Sequence, residues 1–318
     1  MRNPTKSLAL ALATTVLVAA CSSGSASNAP SATPAASAGA VNCVAGSITP
    51  AGSTALQPLV QAAATAYVAA CPAATISVQG GGSGTGLTDV LQGTVQIGNS
   101  DIFAEEKFQP SDSSQLVDHQ VAIEGFVMIT HTDVTGVTNL TTQQAVDIWT
   151  GKTTNWNQVG GPDLPIVLIL RPASSGTRST FKRIVLGGVD EASGTLTEDS
   201  NGTVAQIVST TPGATSYVGF SFYESNTAGL NALQLDGVAA SVDNMANGTY
   251  KLQTIGHMYT KGPGDPLSQA FIAYMLTPDV QNGTVKSLFY GPIGTTIYKS
   301  PVSAPPPAAS PTAAPSAS

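Results

Sequence analysis

The sequence predicts an α/β protein, and three observations carry that reading. Apolar runs of strand length alternate with segments whose apolar residues recur at helical spacing. Several junctions between them are rich in Gly, Ser and Thr, the residues of tight turns and helix starts. The part able to fold is about 260 residues long, which is enough for two lobes of ordinary size.

Residues 44–49 read as a short strand, followed by a helix over 55–70 with Leu56, Leu59, Val60, Ala63 and Tyr67 on one face. Residues 75–79 alternate as a strand, 80–86 form a glycine-rich turn, and Leu87, Val90 and Leu91 make the apolar stripe of a brief helix. A third short strand over 95–98 leads into Asn99-Ser100-Asp101, and 120–130 is a long apolar run suited to a buried strand. Thr141 or Thr142 can cap a helix carrying Ala145, Ile148 and Trp149. Residues 166–170 read as a central strand covered on both faces, and Phe181, Ile184 and Val185 mark the helix after it. No internal repeat is visible.

The ends read differently. Arg2 and Lys6 precede an uncharged run of thirteen residues, 8–20, which has the layout of a secretory leader and is too short to span a bilayer as a helix. Val18-Ala19-Ala20-Cys21 resembles the bacterial lipoprotein processing box, so Cys21 is expected to carry lipid after removal of 1–20; an ordinary leader with an incidental cysteine is the other reading. Segments 21–43 and 301–318 are dominated by Ser, Ala, Pro and Gly and are expected to be a disordered tether and a disordered tail. With Cys21 assigned to lipid, Cys43 and Cys71 remain as a pair in an oxidising compartment, open to a disulfide or to two separate thiols.

The chain holds 12 basic and 19 acidic residues, for a net charge of −7, and loss of Arg2 and Lys6 with the leader makes it more acidic still. That balance excludes nucleic acid as a partner. It also repels anions at long range, so an anion site must rely on local dipoles and one or two placed cations.

Three segments share such a design: Gly52-Ser53-Thr54-Ala55, Gly82-Ser83-Gly84-Thr85-Gly86 and Ser174-Ser175-Gly176-Thr177. Each places hydroxyls and unpaired N–H groups at the positive end of a helix. Any one of them alone reads as an ordinary helix cap, and three together read as an anion site. Arg171 ends the apolar run four residues before Ser175, where its planar fork suits a tetrahedral oxyanion. Asp101 adds discrimination: phosphate near neutral pH has a proton to donate to a buried carboxylate, whereas sulfate has none.

These motifs, with Gly52 to Pro58, Gly98-Asn99-Ser100-Asp101, Arg171 to Phe181 and Gln206 to Ala214, closely resemble the substrate-binding component of the bacterial high-affinity phosphate ABC transporter. The resemblance covers residues 47–276. It implies a type II periplasmic-binding-protein fold, two mixed-sheet α/β lobes joined by two crossing strands, with lobe 1 over 44–122 and 224–300 and lobe 2 over 123–223. By the same resemblance, phosphate is held by Thr54, Ala55, Ser83, Asp101, Arg171, Ser175, Gly176 and Thr177, with Ser53 adjacent. Some relatives carry an aromatic residue where Ala55 stands and an acidic one, paired with the arginine, where Ala173 stands. The implied partners are inorganic phosphate, the permease subunits of the importer and, through Cys21, the cell membrane; the implied state is a monomer without cofactor or metal.

Rival readings find less support. Ser83 and Ser175 lack the Gly-x-Ser-x-Gly setting of a hydrolase nucleophile, and His119, His131 and His257 are tied to neither. Gly151-Lys152-Thr153 mimics the end of a P-loop, but Val146 stands where glycine is required. A receptor for another oxyanion such as sulfate, or a surface adhesin or phosphate sensor, remains as the alternative function.

Overall fold

A computed structural model describes residues 41–301 apart from 195, 295 and 296. The leader, Cys21, the tether up to residue 40 and the tail from 302 lie outside the described residues.

The chain opens with β1 (Gly46–Ile48) and β2 (Pro50–Gly52), α1 (Gln57–Ala70), β3 (Ala74–Ile76), α2 (Ser83–Gln92) and β4 (Ile97–Ser100). The short α3 (Pro110–Ser113) precedes β5 (Leu116–His131), a strand of 16 residues. Then come β6 (Asn139–Leu140), α4 (Thr142–Trp149), β7 (Val167–Leu170), α5 (Gly176–Ile184), β8 (Leu196–Thr197), α6 (Asn201–Thr210), β9 (Ala214–Gly219) and α7 (Phe220–Ser225). The chain ends with β10 (Leu230–Leu235), α8 (Val242–Ala246), β11 (Gln253–Lys261), α9 (Pro266–Met275) and a π-helical turn, Val280–Val285.

Most elements start where local chemistry dictates. Pro58 begins α1, where its missing N–H costs no hydrogen bond. Of the two threonines that could cap α4, Thr141 does so: its hydroxyl accepts from Gln144 N–H at 3.1 Å, and the Gln144 side chain returns to Thr141 N–H. Side chains of Ser175, Ser200, Ser241 and Asp265 cap α5, α6, α8 and α9.

The main sheet runs β2-β4-β11-β5-β9-β7-β8, while β1 and β3 pair separately. The strand expected over 44–49 is the shorter β1, which pairs with β3, and a further strand that was not expected, β2, follows it and runs parallel to β4. The third short strand begins two residues later than expected, which places Asn99 and Ser100 inside it. β7 lies one strand in from the edge formed by β8 rather than at the centre.

β5 serves both halves of the molecule. Its first part, up to Gly125, pairs antiparallel with β11, and Phe126–Thr130 pairs with β9. The two largest cores lie on either side of that division, with a smaller cluster around Leu87, Val90 and Tyr259. One gathers Leu56, Leu59 and Tyr67 of α1 with Met258 of β11 and Phe271 of α9; the other gathers Met128 of β5, Trp149, Phe181, Val208 and Tyr217. Trp149, Phe181 and Tyr217 pack ring against ring, with Phe181 and Tyr217 stacked at 4.1 Å between centroids. The segment 224–252 contributes to the second core. β10 pairs with Met128–His131 of β5, and Leu230, Leu233, Leu235, Met245 and Leu252 are buried there.

Cys43 and Cys71 form a disulfide that ties the residues before β1 to the end of α1. Among the described residues, no helix is long and apolar enough to cross a membrane.

Candidate functional site

The three Gly/Ser/Thr turns and Arg171 meet where the lobes touch. Thr54, Ser83, Asp101, Arg171, Ser175 and Thr177 are all buried, the most accessible being Thr54 at 5 %. Contacts across the site show the lobes closed on one another. Gly84 N–H donates to the Ser174 carbonyl at 2.8 Å, and the Thr177 hydroxyl donates to Asp101 Oδ2 at 3.3 Å. Here the glycines act through their size: a Cβ on Gly82 would lie 2.9 Å from the Ser174 carbonyl oxygen, and one on Gly176 would lie 2.2 Å from Ser83 Oγ.

Arg171 is oriented without a carboxylate partner at position 173. Its Nε donates to the Glu198 carbonyl at 3.0 Å, and its Nη2 donates to the Asp199 carbonyl and to Thr54 Oγ1. Two backbone oxygens after β8 thus orient the guanidinium where the sequence has Ala173. Arg178 braces the same strand end, donating to the Arg171 carbonyl at 2.9 Å and pairing with Glu191 at 2.7 Å, and Glu191 accepts from the Tyr217 hydroxyl at 2.6 Å. Arg171 Nη1 remains buried and without a hydrogen-bond partner.

Asp101 follows β4 and is held from several sides. Its N–H donates to Ser83 Oγ at 2.9 Å, and its carbonyl accepts from the Thr254 hydroxyl at 3.1 Å. Burial raises its carboxyl above the ordinary value, while the Ser53 hydroxyl and the Arg171 charge pull the other way. Asp101 Oδ1 is also buried without a donor. The closed site therefore contains an unmatched donor arm and an unmatched acceptor.

The other expected residues divide. Ser175 Oγ accepts from Arg178 N–H as the cap of α5, leaving its own proton to donate. Gly176 and Thr177 open α5, whose first N–H groups the helix itself cannot use. Ala55 N–H is turned toward Ser53 Oγ at 3.1 Å, and the Ala55 carbonyl accepts from the Tyr290 hydroxyl. Two residues were missed. Asn201 donates from Nδ2 to Thr54 Oγ1 at 2.8 Å and accepts from Gly219 N–H at 2.8 Å, so it joins both lobes; at the start of α6 it reads as an ordinary helix residue. Glu124 was legible as the single charge within 120–130. None of the three histidines approaches Ser83 or Ser175: His119 meets Thr260, His131 pairs with Asp133, and His257 with Asp118.

A family model described as the PBP superfamily domain matches residues 33–279. The phosphate-binding protein PstS of Bacillus subtilis is 45 % identical over 248 residues, covering 78 % of this chain and 81 % of that protein. The chain belongs to the PstS family of phosphate-binding proteins. A Clostridium perfringens protein solved with phosphate bound superposes with a TM-score of 0.71 at 28 % identity, covering 78 % of this chain and all of that one. An ABC-type phosphate transport receptor from Vibrio cholerae gives a TM-score of 0.61 at 27 % identity over 77 % of this chain and 99 % of its own. The fold is thus the two-lobed periplasmic binding protein fold that the sequence resemblance implied.

Proposed function

We propose that the protein captures inorganic phosphate between its lobes and delivers it to the permease of an ABC-type importer. The family supports this reading, and one observation carries it: Arg171 Nη1 and Asp101 Oδ1 are a buried donor and a buried acceptor without partners in one closed cleft. A hydrogen phosphate ion answers both, accepting from the guanidinium and donating its proton to the carboxylate. Sulfate answers only the first and leaves Asp101 an unpaired buried charge.

The proposed ligand set is Thr54, Ser83, Asp101, Arg171, Ser175 and the N–H groups of Gly176 and Thr177, with Ala55 contributing only if its N–H turns from Ser53. Asn201 and Ser53 position Thr54 and Asp101. A micromolar dissociation constant asks for about −8 kcal/mol, a modest demand on several charge-assisted hydrogen bonds closed off from water. The family is one of substrate-binding transport proteins, so no catalytic step is assigned. The lobes we propose are 44–122 with 253–300, and 123–252. We also place the protein outside the cytoplasm as a monomer anchored through lipid on Cys21; the Val18 to Cys21 sequence and the Cys43–Cys71 disulfide support that placement.

Calorimetric titration of ligand-stripped protein tests the ligand assignment. Phosphate binds and sulfate does not; Arg171→Ala abolishes binding, and Asp101→Asn narrows the phosphate-over-sulfate ratio. A different oxyanion binding in preference to phosphate would sink the reading.

A further inference from the structure

β5 buries a carboxyl group to which the ligand assignment gives no task. Glu124 is 1 % exposed, on a strand whose residues Ala122, Phe126, Val127 and Met128 are apolar and buried. In the antiparallel register it stands opposite Thr254 of β11, the residue whose hydroxyl holds the Asp101 carbonyl. Through Thr254 the two acids are neighbours in the same buried region, and each carboxyl acts on the other's charge. Neither Glu124 oxygen has a donor, and neither does Asp101 Oδ1. Two neighbouring buried carboxylates offer acceptors alone and repel each other. One proton between them converts the repulsion into a charge-assisted hydrogen bond.

We propose that Glu124 is a positioning residue for anion discrimination, which keeps that proton and donates it in a hydrogen bond to Asp101, whose ionised carboxylate has lone pairs enough to accept from the ligand as well. The inference rests on the phosphate reading above. The surroundings decide which acid holds the proton. Asp101 faces the Thr177 and Ser53 hydroxyls and the Arg171 charge, all of which favour its ionised form. Glu124 faces Asp101 and Tyr290, whose hydroxyl is turned to the Ala55 carbonyl, and no cation. Burial and the neighbouring Asp101 charge hold Glu124 well above the ordinary carboxylate range. Without the Glu124 donor, burial would favour protonation of Asp101, and a protonated Asp101 would donate to an anion and admit sulfate. Glu124 thereby widens the pH range over which the filter works.

The test compares phosphate and sulfate affinities of the full chain, Glu124→Leu and Glu124→Gln from about pH 5 to 8. Glu124→Leu is expected to lose about tenfold or more of the phosphate-over-sulfate ratio toward the acid end. Glu124→Gln, which keeps an N–H donor, recovers most of it. A Glu124→Leu profile that tracks the wild type, or a Glu124→Gln profile as poor as that of Glu124→Leu, overturns the proposal. Infrared spectra decide the case if Glu124→Leu does not fold: the wild type shows the carbonyl stretch of a protonated carboxylic acid at neutral pH, and Glu124→Gln lacks it. Absence of that band from the wild type, or its persistence in Glu124→Gln, also overturns the proposal. Failure of the wild type to bind phosphate would defeat the ligand assignment instead, with the infrared result still reporting on Glu124.

Discussion

Arg171 is held by three acceptors yet keeps one arm free, so its contribution depends on the shape of its fork as much as on its charge. Lysine at this position can reach one acceptor at a time, and Arg171→Lys is expected to cost about 2–4 kcal/mol of phosphate affinity, measured by calorimetry with the far-ultraviolet spectrum unchanged. The buried acids act on stability in a definite direction. Asp101 and Glu124 are both held above their ordinary values by burial, so each binds a proton in the folded protein at a pH where the unfolded chain has released it. Their stabilisation is complete below the ordinary carboxylate value, 4.5 for Glu124, and is lost as pH rises through the folded value. Urea midpoints of the ligand-free protein should fall as pH rises above about 5, and Glu124→Gln should flatten that fall. At this scale the sequence disclosed Arg171, Asp101 and the three turns because each sits in a local pattern. Asn201 and the two backbone acceptors of Arg171 come from α6 and the loop before it, contacts that no spacing within the chain announces.

The helix starts that build the site also set how closely the lobes approach. A methyl group on Gly176 would meet Ser83 Oγ and the Asp101 Cβ, both from the opposite lobe, while alanine is a better helix former than glycine. Gly176→Ala is therefore expected to leave thermal stability unchanged or raised and to weaken phosphate binding by about a hundredfold, since closure is blocked. Scattering that shows the same contraction with phosphate in the variant as in the wild type would refute this. At the other end of the first lobe, the Cys43–Cys71 bridge spans 28 residues. Replacing both cysteines with serine should cost about 3–4 kcal/mol by the loop-entropy relation, measured by urea unfolding. The early elements were readable because each is a contiguous strand or helix with a plain period. β2 was not, since its three residues show no period and only the pairing with β4 marks them as a strand.

Across the molecule, phosphate should raise the unfolding temperature in proportion to the logarithm of its concentration above the dissociation constant, whereas sulfate should not. The architecture was legible through the family motifs and the alternation of strands and helices. The pairing of β10 with β5 was not, because it joins residues about a hundred positions apart. The sheet order also bears on how the protein is assembled in time. The second core is built almost wholly from one uninterrupted stretch of chain, whereas β11 is inserted between β4 and β5, whose own residues are made long before it. Until residues 253–261 are available, β4 and β5 have no common neighbour, so the sheet of the first lobe is completed last. Pulse-labelled hydrogen exchange during refolding should protect β7 and β9 before β4, and an emerging chain cut before residue 253 should already bury Trp149 and Trp156.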